Sequence, residues 1–537
     1  MQNDCRMIIV GRSKKILKRK EEKQMKTKRI GNILLILVAT LLVFSIPFSS
    51  AQAPRRGGVL TYGIQSEPRI LDPHLIITDG ASGHVVTSLY NTLVRYDKDM
   101  GIVPDLAESW DIKADGREMI FHLHKNIRFH DGTPCDAEAV KFSFERILDP
   151  KNNSPYGRFF TLVEKIDVLG PLAVKFTFKK PWPGFFYQVL YVGGMSIVSP
   201  TAVRKLGNEE FGRQPVGTGP FKLSEWMKDD HITLIKNDKY FRPGLPYLDK
   251  IVFKVIPDVN VLLTNLRTGK IDLARDFEAQ LMPMVEKDPN LKTSVKMAFT
   301  FDYWALNTKR PPFNDKRVRQ AVNMGIDRAA IGKAVYGPHA QAATSQISPA
   351  NKYHHAKTLP TFEYNPEGAK KLLKEAGAEN LQFTLFSYTV KPQISQIATV
   401  IQAQLGQIGV KVKHEVLEHQ AWLANVLKAR EFQASVVPGT GGPEPNNYVM
   451  FWTSDNPINF VGINNPEFDK LIPEGQVTVE EKKRREIYNK IQEIGADEAM
   501  WMALVYVPTF ASMSKKVQDY VHLPYNVSYF DTVWLAK

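Results

Sequence analysis

Chemistry needs reactive side chains at fixed spacing, and this chain of 537 residues offers few such sets. The most suggestive is His122-Leu-His124 with His130-Asp131 close behind. Two histidines at alternate positions of a strand share a face, so His122, His124 and Asp131 could hold a metal ion for hydrolysis. The same residues also read as the solvated face of a strand, with Phe121 and Leu123 facing inward and Asp131-Gly132 as a turn. A metal needs three or four converging ligands, and no second cluster accompanies these. The chain carries no G-x-x-x-x-G-K-[ST], no G-x-S-x-G, no H-E-x-x-H and no paired C-x-x-C. Val216-Gly-Thr-Gly-Pro220 is no substitute for a phosphate loop, because Pro220 follows at once and no Lys stands where a phosphate would need it. Binding is therefore the better expectation than catalysis. The segment Pro438-Gly-Thr-Gly-Gly-Pro-Glu-Pro-Asn-Asn-Tyr448 fits it, since it leaves a strand at its carboxyl end, where open α/β sheets hold ligands.

The elements that would position such a loop are legible in the second half. Asn365 caps and Pro366 opens a helix whose Ala369, Leu372, Leu373 and Ala376 share a face, and Gly377 closes it. Phe383 to Tyr388 reads as a strand, Ile394 to Ile408 as a helix, Val410 to Val416 as a strand, Glu418 to Arg430 as a helix and Phe432 to Val437 as a strand. This alternation predicts a layered α/β lobe with a largely parallel sheet. In the first half, Val59 to Ile64, Ile120 to His124, Val174 to Phe178, Ile232 to Lys236 and Ile251 to Ile256 read as short strands.

Length alone calls for more than one domain or lobe. Hydrophobic residues make up 43% and charged residues 23%, which excludes a disordered chain. The net charge of +14 is concentrated at the start, where residues 1 to 51 hold 11 Lys+Arg against 3 Asp+Glu. The +6 left over 486 residues is too dilute for a phosphate-binding surface, so no nucleic-acid partner is expected. Lys26, Lys28 and Arg29 precede the 16-residue apolar run Ile33 to Phe48, the layout of a signal peptide, with cleavage expected after Ala51 and Met1 or Met25 as the start. Cys5 lies in that leader and Cys135 is the other cysteine, so the mature chain forms no internal disulfide. No Cys stands directly after the apolar run, at the point where a lipid would be attached.

Several longer runs, taken together, resemble a known family. They are Gly57-Gly-Val-Leu60 with Glu67-Pro-Arg-Ile-Leu-Asp-Pro73, Asn91 to Tyr96, Pro104 to Trp110, Phe121 to Pro134, Ala139 to Phe144, Val216 to Leu223 with Trp226, Leu306-Asn-Thr, Pro312 to Ala321 and Ile326-Asp-Arg328. In this order they look like family 5 of the bacterial extracellular solute-binding proteins, which includes oligopeptide-, dipeptide- and nickel-binding components of ABC importers. The resemblance covers essentially all of the mature chain. It implies an α/β, type II periplasmic binding protein with two discontinuous lobes joined by a hinge. On that basis residues 1–51 are a signal peptide, 54–298 with 510–537 form the first lobe, including an extra subdomain at about 100–210, and 299–509 form the second. It further implies a monomer in the periplasm, without catalytic residues, metal or cofactor. Such a protein captures a peptide or other medium-sized polar solute and passes it to an inner-membrane permease with its ATPase subunits.

The resemblance also directs attention to three segments that would line the ligand cleft: Glu67 after the first strand, Tyr303 and Trp304 where the chain crosses between lobes, and Thr440, Gly441, Glu444, Asn446 and Asn447 in the loop. The loop departs from the peptide binders of the family, which carry a Trp and then an Asp that pairs with the peptide's amino terminus. Gly439 replaces the Trp, and Gly442 or Pro443 the Asp; Glu444 is left as the carboxylate that could meet an amine. A hydroxyl-bearing solute such as an oligosaccharide would suit stacking residues with Asn446 and Asn447. Competing readings are an exported metal-dependent hydrolase using His122, His124 and Asp131, and a periplasmic folding helper.

Overall fold

Alternating β-branched and aromatic side chains make Val59–Ile64 a strand whose inward residues Leu60, Tyr62 and Ile64 are buried. In the computed structural model, which describes residues 53–537 except 77–79, 191–194, 276, 278, 356 and 390, this strand lies within a mixed sheet of eleven strands. From one edge the order is Lys411–Leu417, Gln382–Tyr388, Ala434–Gly439, Leu291–Leu306, Trp501–Ser514, Leu273–Arg275, Val59–Ile64, Lys250–Val255, His231–Lys236 and Phe221–Met227. Gln341–Ala342 adds a short pairing to Trp501–Ser514.

Two long antiparallel strands at the centre, of 16 and 14 residues, join the halves of this sheet. The Ser514 end of the second pairs with Leu273–Arg275, and Phe301 to Leu306 of the first pairs with Ala434–Gly439. Between these ends the ladder is broken twice, between Met297 and Phe301 and between Asp302 and Tyr303. Such irregularities bend a strand and free backbone groups from the ladder. The lobe boundaries expected near residues 298 and 509 fall inside the two crossing strands, close to these breaks.

The second half of the sheet follows the sequence pattern. Gln382–Tyr388 runs parallel to both Lys411–Leu417 and Ala434–Gly439. The helix Pro366–Glu375 begins where the Asn365 side chain accepts from the Gly368 N–H, and the chain turns away at Gly377, whose φ of +67° suits a residue without a Cβ. The helix expected over Glu418 to Arg430 is instead a short α-turn, His419–Trp422, continuing as a wider π-wound turn, Leu423–Lys428. Trp422 stacks on Tyr388 at 4.1 Å there, and its indole N–H donates to Ser435 Oγ.

A second sheet of four strands, Ala107–Ile112, Glu118–Leu123, Ala173–Phe178 and Val163–Gly170, is covered by the helix Ala137–Leu148. Asp136 caps this helix, and Val140, Phe144 and Ile147 bury their side chains against the strands. The buried apolar residues separate into three cores: one under the four-stranded sheet, one under the first half of the large sheet, and one shared by the second half and the crossing strands. Residues Arg55–Lys537 nonetheless form one compact unit. The expected signal peptide and its cleavage point lie outside the described residues. No described helix is long and apolar enough to cross a membrane.

Candidate functional site

The breaks in the crossing strands open a cavity of about 340 Å³. Its floor is Ala298 to Thr300 on one crossing strand and Val507 to Phe510 on the other. Tyr525 and Asn526 close one side, and Tyr336, Lys391 and Gly441 reach it from the second half of the chain. Tyr336 ends the helix Arg328–Tyr336, and Lys391 immediately precedes the helix Pro392–Gln407.

One ionic group anchors this cleft. Asp302, fully buried at the second break, accepts from Lys391 Nζ at 2.8 Å and from the Tyr336 hydroxyl. Lys391 Nζ also lies 3.1 Å from the Tyr336 hydroxyl. Burial and the Asp302 charge push the Tyr336 hydroxyl above the usual tyrosine range, so it stays a neutral donor. An ammonium carries three donors, and two are engaged here. A third remains on a side chain that is one-third exposed and lines the cleft.

The residues expected from the sequence divide into distinct environments. Gly441 lines the cleft, and its lack of a Cβ is needed there: a Cβ would lie 2.1 Å from the Tyr448 ring. Tyr448 is fixed in turn, because its hydroxyl donates to the Phe299 carbonyl at 2.9 Å and its ring stacks on Phe301. Thr440, the neighbour of Gly441, is exposed. Tyr303 is buried in a stack on Trp501 at 4.4 Å. Trp304 belongs to the core rather than to the cleft wall: it is fully buried, and its indole N–H donates to Asn323 Oδ1 at 2.8 Å. The alternation of a strand turns it away from the face that Tyr303 occupies. Glu67 is held at the far edge of the sheet, accepting from the Trp226 indole and from the Asp229 backbone N–H at 3.1 Å.

Glu444 is not an exposed turn residue, and one oxygen of its carboxylate is already committed within the protein. It is 3% exposed and paired with Arg484 Nη2 at 2.5 Å. Burial opposes the Arg484 charge, but Glu444 and the Tyr488 and Tyr353 hydroxyls outweigh it and hold the guanidinium firmly protonated. Asn446 and Asn447 follow Glu444 and line a second cavity, apart from the cleft at the crossing strands.

The histidine set does not converge. His122 Nε2 meets Asp111 at 2.8 Å, His124 lies 3.6 Å from Glu108, and both are partly exposed. Asp131 accepts from Thr133 and Ser199, and His130 is bonded to the Gly219 carbonyl and lowered to about 4 by burial. No group of three or more potential metal ligands occurs among the described residues. The buried Cys135 thiol is raised by burial, which leaves it un-ionised.

The sequence reading missed Asp302, Lys391 and Tyr336. A signal for Asp302 was present: a carboxylate inside the apolar run Phe301 to Leu306 must find a buried partner. Which cation supplies it, 89 residues away, is not encoded in any local pattern.

Residues 101–460 match the family model described as bacterial extracellular solute-binding proteins, family 5 Middle. The chain belongs to this family. It is 29% identical over 535 residues to a probable di/tripeptide-binding protein of Pseudomonas aeruginosa, covering 93% of this chain and all of that one. It is 30% identical over 517 residues to the oligopeptide-binding protein AppA of Bacillus subtilis, covering 91% and 93%. Among solved structures, the ABC transporter-associated periplasmic binding protein DppA of Helicobacter pylori, in complex with the peptide STSA, aligns with a TM-score of 0.74 and 31% identity over 90% of this chain and 99% of that one. The fold is the two-lobed α/β architecture of this family of binding proteins, as the sequence resemblance implied.

Proposed function

We propose that the protein captures a peptide, or a similar polar solute ending in a carboxylate, in the cleft at the crossing strands and presents it unaltered to an ABC permease with its ATPase subunits. The observation that carries this reading is the Lys391 ammonium, held at the cleft by Asp302 and Tyr336 with one donor to spare. Backbone freed at the strand breaks offers further donors and acceptors to an extended ligand. A cavity of about 340 Å³ is at the small end of the ~300–1,000 Å³ typical of ligand sites and suits a short ligand or one segment of a longer one. Membership of the family and the relatives named for di-, tri- and oligopeptides support the same class of cargo. Export through the apolar leader agrees with a family described as extracellular. Residues 54–298 with 510–537 and residues 299–509 serve as the two lobes, with the crossing strands as the hinge, and closure brings them together around the ligand.

The test is calorimetric titration with trialanine and its carboxyl-terminal amide. The free acid should bind at least ten-fold tighter, about 1.4 kcal/mol, and the preference should vanish in K391M/D302N, where both charges are removed so that neither is left buried alone. Equal binding of acid and amide by the unaltered protein would remove Lys391 from this role.

A further inference from the structure

The loop that closes the cleft also borders a larger space. Gly441 faces the cleft, while Glu444, Asn446 and Asn447 line a recess of about 580 Å³ between the second lobe and the four-stranded subdomain. From the subdomain side, Trp182 and Gln188 complete it. The two sides meet closely: a Cβ on Gly184 would lie 2.5 Å from Glu444 Oε2, and Gln188 Nε2 lies 3.4 Å from Asn447 Oδ1.

Two buried oxygens here lack partners. Glu444 spends Oε1 on Arg484 and the Asn446 N–H, and its Oε2 is bonded to nothing. Gln188 Oε1 is equally bare. Both residues are more than nine-tenths buried, at 3% and 7% exposure. An acceptor withdrawn from water without a donor costs about 1–3 kcal/mol, so each of these oxygens calls for an N–H or O–H from a visitor. The remaining charges indicate which. Asp455 and Asp469 line the same recess, against one cation, Arg158, which is exposed and lies over the Phe159 ring. Trp182 adds an aromatic wall of the kind that attracts cations.

We infer that this recess takes an ammonium or guanidinium group borne by the captured solute. The inference rests on the capture reading above: a ligand anchored by its carboxylate near Lys391 and running past Gly441 would carry a basic side chain toward Gln188 and Glu444. The protein then selects for solutes with a carboxylate and a distant cation, and the loop Gly439 to Asn447 measures the separation.

A set of alanine tetrapeptides, each with one position changed to lysine or to norleucine, tests this by calorimetry. Norleucine keeps the aliphatic stem and omits the charge. At one position lysine should bind at least ten-fold tighter than norleucine. That ratio should fall towards one in Q188L and D455N, and rise in Q188E, which adds a further carboxylate. A ligand-free melting curve for each variant verifies the fold. Peptides that bind with no lysine preference, or with one indifferent to these variants, overturn the inference and leave peptide capture standing. If no peptide binds, spermidine is the remaining probe. Stabilisation by spermidine that is lost in Q188L and D455N sustains the cation recess and overturns the peptide reading, and no effect of spermidine overturns both.

Discussion

Single residues in this protein are governed by what burial demands of them. His74 is fully buried between Arg146, which donates to its Nδ1 at 2.9 Å, and the Ser196 carbonyl, 2.8 Å from its Nε2. This arrangement suits the neutral ring with its proton on Nε2. Burial, opposed by Asp72 and reinforced by Arg146, lowers the pKa to about 4. The unfolded chain protonates this ring near pH 6.5 and the folded chain does not. Stability is therefore intact above pH 6.5 and declines as pH falls toward 4, by about 3 kcal/mol for a shift of this size. H74Q, whose amide can accept from Arg146 and donate to Ser196, should make the stability profile between pH 6.5 and 4 shallower in denaturant titrations, leaving the share carried by other buried histidines such as His130. A slope unchanged from the parent would show that His74 does not carry it. Residue types alone drew attention to the loop from Gly439 to Asn447 but not to the state of its members. Glu444 stood out as the one carboxylate of the loop; that Arg484, 40 residues away, takes one of its oxygens is not visible locally. Trp304 looked like a stacking face and is a core residue, because a large aromatic next to a buried one on a strand takes the opposite face.

At the scale of elements, local signals were enough where the structure is local. Asn365, Pro366 and Gly377 bracket a helix, and the strands from Gln382 to Gly439, read from β-branched and aromatic residues, form a parallel array. The crossing strands were invisible to that approach. Leu291 to Ser294 pair with residues 511 to 514, and the breaks that open the cleft depend on partners of this kind, more than 200 positions distant. The loop ending at Asn447 is the element that ties these levels together, since Tyr448 bonds it to Phe299 on a crossing strand. G441A tests that tie. The added methyl group meets a ring that cannot retreat without losing its hydrogen bond, so overpacking should cost about 1–3 kcal/mol and ligand affinity should fall with it. A variant with the parent's melting temperature and affinity would mean that the loop yields freely and does not shape the cleft.

Across the whole molecule, three cores are arranged around one large sheet and a second sheet of four strands. The large sheet is held at its centre by two long strands, and both pass the cleft where their pairing is interrupted. On the proposed reading, a bend there would move the lobes as bodies, leave their interiors packed and enclose the solute. Small-angle scattering on the protein, alone and saturated with a peptide shown by calorimetry to bind, measures this directly. A smaller radius of gyration in the complex, with the peptide recovered intact, is the predicted result; the same radius with and without bound peptide would contradict closure of two lobes around a ligand.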